Sequence, residues 1–136
     1  MREILFRGKR LYNGEWVYGN LVVTKNDKPH IVSKDYFYED GHHLQYCDDT
    51  DRPVFIDTAT VGQFTGLTDK NGTKIFEGDI VENNECLGVV EYSEEDAMYT
   101  VMFNETLYDF GWIGAKMCEV IGNIHDNPEL LETNEQ

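Results

Sequence analysis

Eleven Val, eight Ile, seven Phe, eight Tyr and two Trp, set against only three Ala, constrain this chain more than any other feature. β-Branched and aromatic side chains fit a pleated, half-buried surface, so strands are expected to dominate over helices. Turn residues punctuate the strand-like runs. Asn13-Gly14 separates Phe6–Tyr12 from Glu15–Val23, and Asn71-Gly72 separates Thr65–Leu67 from Thr73–Phe76. An Asn-Gly pair accepts the positive φ of a type I′ turn, so both sites predict hairpins. Further strands are expected at Gly78–Glu82, Leu87–Tyr92, Met98–Phe103 and Cys118–Ile124, with Ser93–Asp96 as an acidic turn.

Short strands at this spacing point to a small barrel or sandwich. Gly78-Asp79 before Ile80-Val81, returned by Gly88-Val89-Val90, has the pattern of SH3-like barrels, a likeness of architecture alone. Helix is expected only near the end, where Asn127 caps, Pro128 opens the first turn and Glu129 complements the helix dipole. The expected fold is therefore mainly β: an SH3-like small barrel with a short C-terminal helical turn over residues 58–136. An N-terminal β-hairpin region with an acidic loop, Glu39–Arg52, occupies residues 1–57.

A length of 136 residues suits one domain or two small ones, and a 40% hydrophobic content is enough for a core. No apolar run approaches the roughly 20 residues that span a bilayer, so no membrane association is expected. The opening Met1-Arg2-Glu3-Ile4 does not read as a signal peptide. Three well-separated cysteines, Cys47, Cys86 and Cys118, give no disulfide framework and point to a reducing compartment. Buried structural thiols are the expectation for Cys86 and Cys118.

The formal net charge of −15 disfavours nucleic acid as a partner, because phosphate contacts need a basic surface. The charge is unevenly spread. Residues 1–28 carry six basic residues (Arg2, Arg7, Lys9, Arg10, Lys25, Lys28) against three acidic, and the remainder carries five against 23. A solvated strand face is the expected role of the basic residues, with an electrostatic docking surface as the alternative.

No residue is assigned a catalytic, cofactor-binding or metal-binding role, and no cofactor is expected. The richest ligand set, His42, His43, Cys47, Asp48, Asp49 and Asp51, lacks a metal-site spacing and reads as a polar loop. Ser33 and Ser93 sit in no nucleophile elbow, and Gly62–Gly66 lacks the Lys-Ser/Thr of a phosphate loop. Carboxylate pairs such as Glu77 with Asp79, and the Glu94-Glu95-Asp96 run, read as a solvated acidic face. The aromatics Phe6, Trp16, Tyr18, Phe64, Phe76, Phe103, Phe110 and Trp112 read as core or subunit interface.

Three blocks together resemble a known family: Arg2–Lys9 through Trp16–Gly19, Thr60–Gly72 through Phe76–Val81, and Val120–Leu131. In that order they are similar to the YopX family of bacteriophage and prophage proteins. The resemblance implies a mainly β protein with an SH3-like component, acting in the cytoplasm of the host bacterium and self-associating. It brings no activity and no catalytic residues, and Gly41–Arg52 matches nothing in it. The preferred function is a non-enzymatic homo-oligomeric module, or one binding a phage or host protein. An acidic decoy for a host DNA-binding or defence protein is the first alternative. A metal-dependent enzyme using the His42/His43/Cys47 loop is the second.

Overall fold

A computed structural model describes residues 2–23, 29–32 and 55–134. The strands are β1 (Phe6–Lys9), β2 (Trp16–Val23), β3 (Pro29–Val32), β4 (Gly62–Thr68), β5 (Lys74–Phe76), β6 (Asp79–Asn83), β7 (Cys86–Ser93), β8 (Met98–Phe103), β9 (Thr106–Asp109) and β10 (Glu119–Asn123). Two short helices, α1 (Trp112–Lys116) and α2 (Glu129–Asn134), complete the described chain, with a 3₁₀ turn at Thr58–Thr60. All strand pairs are antiparallel, in two five-stranded sheets ordered β3-β2-β1-β4-β5 and β10-β6-β7-β8-β9. The mainly β expectation holds. Among the described residues no helix is long and apolar enough to cross a membrane.

Neither sheet closes, so the SH3-like barrel expected over residues 58–136 is not a closed barrel. The reason lies after β9, where the chain leaves through α1 and returns as β10 beside β6. That crossover places β9 and β10 at opposite edges, and no pairing joins them.

The chain divides into two compact units, Met1–Gln63 and Phe64–Gln136. In the first, Ile31 and Ile56 are buried, with Phe6, Val17, Leu21 and Val61 packed against them. The hairpin at Asn13-Gly14 forms, but its turn is not type I′. Gly14 has φ +72 and Asn13 does not take a positive φ. The Asn13 carboxamide instead accepts the Glu15 N–H at 3.0 Å, an Asx turn inside a four-residue loop closed by the Arg10 N–H on the Glu15 carbonyl at 2.9 Å. The solvated basic face is also corrected at its centre: Arg7 is buried, its guanidinium 4.6 Å from the Trp16 ring centroid. Lys9 lies over the same ring at 5.4 Å. A cation over a Trp face is attracted by the ring quadrupole, an interaction worth about 0.5–2 kcal/mol depending on burial.

In the second unit Ile75, Val81, Val90, Val101, Phe110, Ala115 and Cys118 form the core. The β4–β5 hairpin also departs from type I′: within its turn only Gly72 has positive φ, at +82, as in a type I turn followed by a left-handed residue. Asp69 explains the choice. Its Oδ1 accepts the Asn71 and Thr73 N–H groups at 2.9 and 2.8 Å, and its Oδ2 accepts the Val120 N–H at 2.9 Å. One buried carboxylate thus shapes a turn and ties it to β10, a strand 51 residues away. The C-terminal block is likewise structural. Asn127 Oδ1 accepts the Asn123 N–H at 3.2 Å, while Asn123 Oδ1 accepts the His125 and Asp126 N–H groups at 3.0 and 2.9 Å. Gly122 is required beside it, because a Cβ there would lie 2.5 Å from Asn127 Oδ1.

Burial pushes the Asp69 pKa up, but the Val120, Thr73 and Asn71 N–H groups and the nearby Lys116 outweigh it and hold the carboxyl below its ordinary 3.8. A carboxyl lowered in the folded state contributes stability that is complete above 3.8 and disappears as pH falls through its folded value. Asp69→Asn leaves an amide NH₂ facing at least one backbone N–H, a loss of about 2 kcal/mol at neutral pH. Urea unfolding of the two proteins should show that gap at pH 7 and its narrowing below pH 3.8. A gap independent of pH would contradict the charged anchor.

Candidate functional site

Hairpin chemistry builds a cleft in the second unit. The β6–β7 and β8–β9 turns each have two central residues, Asn84-Glu85 and Asn104-Glu105. Their φ angles are +50 and +68, and +48 and +66, the double positive φ of type I′ turns. The type I′ geometry expected at the two Asn-Gly pairs therefore occurs instead at two Asn-Glu pairs. With no glycine in either turn, each Glu sits where a side chain costs about 1 kcal/mol.

In the meander β6-β7-β8-β9 both turns fall at the same end of the sheet, and between them opens a cleft of about 360 Å³. Its apolar wall includes Phe103, Tyr108 and Phe110, and its polar rim includes Asn83, Asn84 and Asn104. Phe103 and Tyr108 face each other across β8 and β9 with ring centroids 6.1 Å apart. Planar amides beside aromatic rings suit a ligand with its own amide groups and an apolar side chain, the chemistry of a peptide.

Two cysteines also line the cleft. Cys118 is buried as expected, and its thiol is pushed up by burial and by the Asp69 charge, only partly offset by Lys70. Cys86 departs from the buried expectation: it is half-buried and accepts a hydrogen bond from Asn104 Nδ2 at 3.2 Å. Cys86 is therefore the more accessible of the two, since Cys118 is only 1% exposed.

The acidic residues sort into different roles. Asp79 is buried and its Oδ2 accepts the Phe76 N–H at 2.7 Å, a turn-closing contact. Asp96 closes the expected β7–β8 turn, where its N–H donates to Ser93 Oγ at 3.2 Å. Among the expected aromatics, Phe64, Phe76 and Phe110 are buried, while Tyr18 is half exposed at 51%. The His42, His43, Cys47 and Asp48–Asp51 cluster lies outside the described residues. Among those that are described, no group of three or more His, Cys, Asp or Glu converges as a metal site.

One sequence signal bears on the cleft. Between Ile75 and Ala115 there is no Lys, Arg or His, against ten Asp and Glu. The sheet that carries the cleft is free of cations over β6 to β9.

The model of the YopX family, described as YopX protein, matches residues 5–132. The chain belongs to the YopX family. Its fold is shared with protein EF1440 from Enterococcus faecalis, whose crystal structure superposes with a TM-score of 0.52 at 23% identity. That likeness covers 96% of this YopX chain and 99% of the other, and it shows the fold alone. No curated protein matches the chain.

The two thiols of the cleft give a direct check on its geometry. On brief treatment of the native protein with iodoacetamide, peptide mass spectrometry should find Cys86 carboxamidomethylated at least tenfold faster than Cys118, consistent with thiolate access as the rate-setting factor. Equal rates would contradict the placement of Cys118 in the closed core.

Proposed function

We propose that this YopX protein is a non-enzymatic binding module of a phage or prophage, acting in the host cytoplasm, whose second unit docks a basic protein surface. The observation that carries the reading is the cation-free stretch from Ile75 to Ala115, which surrounds an open cleft and several exposed apolar side chains. Met102, Leu107 and Tyr108 are each more than half exposed, at 51%, 55% and 51%. Apolar contacts supply affinity, and one-signed charge selects the partner and speeds encounter. Family membership supports the phage setting, and the turn-forming roles of Asp69, Asn123 and Asn127 support a chain built for architecture.

The basic partner takes one of two forms: a separate phage or host protein, or a second copy presenting its first unit. Burial of Arg7 against Trp16 leaves less exposed charge on that unit than its sequence suggests, which favours the separate protein. Light scattering on the purified chain at low salt, together with co-purification from host cells, distinguishes the two. The expected result is a monomer that captures a basic partner, with direct binding weakened at least tenfold by Glu105→Lys combined with Asp109→Lys. A captured partner that binds the reversed variant equally well, or no partner at low salt, would overturn the reading.

A further inference from the structure

We propose that the outer edge of β9, together with the adjoining cleft, docks an extended basic peptide segment of another protein by strand addition. The inference rests on the partner-binding reading and specifies how the partner is held.

Among the described residues β9 ends its sheet and pairs only with β8. The closing pair of the two-residue hairpin, Phe103 and Thr106, fixes which backbone groups point inward. Thr106 and Tyr108 direct their N–H and C=O groups at β8, and the Phe110 N–H continues the series by donating to the Tyr99 carbonyl at 2.9 Å. Leu107 and Asp109 therefore present their N–H and C=O groups outward, two donors and two acceptors at strand spacing. Natural edges are commonly blunted by Lys, Pro or a bulge. β9 carries none of these, and all four of its residues are exposed.

The side chains say what would pair there. Tyr108 lies on the cleft face, paired with Val101, and Leu107 lies on the opposite face, paired with Met102. On that opposite face Glu91, Thr100 and Asp109 form one row across β7, β8 and β9. A strand added to β9 would place alternate residues over Tyr108 and the cleft, and the others beside Leu107 and Asp109. Apolar residues fit the first set. Lys or Arg fits the second, with its stem along Leu107 and Met102 and its charge reaching Asp109. Main-chain bonds supply part of the affinity and alternate pockets supply selectivity, as in other strand-addition sites. Edge-to-edge pairing with a second copy would instead bring two cation-free sheets together, so charge favours a foreign basic segment.

The probe is a fluorescein-labelled peptide, Lys-Val-Lys-Leu-Lys-Val-Lys, titrated with the full chain by anisotropy. A second probe has the same side chains with alternate backbone nitrogens methylated, which retains charge and removes one edge of hydrogen bonds. The expected result is salt-sensitive binding that falls at least tenfold for the methylated peptide. Leu107→Pro, which removes an outward N–H, should fall at least tenfold as well, while Leu107→Ala loses less. Circular dichroism checks that both variants fold, and the methylated probe needs no variant. Salt-sensitive binding that ignores methylation would overturn strand addition and leave the acidic docking surface standing. Absence of binding at low salt would overturn both.

Discussion

The second unit depends on the Asp69 carboxylate. Three backbone N–H groups, from Asn71, Thr73 and Val120, converge on its two oxygens, so one side chain fixes the β4–β5 turn and anchors β10. Anchoring β10 beside β6 commits the chain to cross the unit after β9, through α1 and the buried Cys118. That crossover leaves β9 as an open edge among the described residues. An internal charged anchor and an unpaired outer strand are thus consequences of the same path.

The remaining polar contacts of the unit serve the path in a similar way. Lys116 donates to Thr68 Oγ1 at 2.6 Å, holding the end of α1 at the end of β4. Asn123 and Asn127 close the turn that follows β10, and Gly122 leaves room for the Asn127 carboxamide. Charge-assisted and side-chain-to-backbone bonds of this kind are strong where water is excluded, and costly to leave half-made. They are concentrated at turns and at β10. The cleft end of the sheet is held mainly by strand pairing and apolar packing, and is correspondingly the more open end.

Much of this was legible in the sequence, and what was not has physical causes. β-Branched content and regularly spaced turn residues located β6, β7, β8 and β10 within a residue or two. Pro128 and Glu129 announced α2. β9 was missed because Thr106-Leu107-Tyr108-Asp109 is exposed on both faces and so has no burial alternation to detect. The closed barrel was over-read because local patterns report strands and turns, whereas closure depends on where a crossover returns. Type I′ turns were placed at Asn-Gly pairs by backbone propensity. At Asn71-Gly72 the Asp69 carboxylate imposed a different turn, and at Asn84-Glu85 and Asn104-Glu105 strand register imposed type I′ on residues that favour it less. The cleft needed two hairpin ends 20 residues apart to be brought together, although the repeated Asn-Glu pair and the missing cations were visible signs of it.

Amide hydrogen exchange resolved by residue in the dilute, unliganded protein tests the anchored unit and its open edge together. Val120 and Thr73, bound by Asp69, and Tyr108, bound within the hairpin, should exchange slowly, whereas Leu107 and Asp109 should exchange at rates close to those of solvent-exposed amides. Protection of Leu107 and Asp109 equal to that of Tyr108 would show the edge already covered, and rapid exchange at Val120 would show that Asp69 does not hold β10.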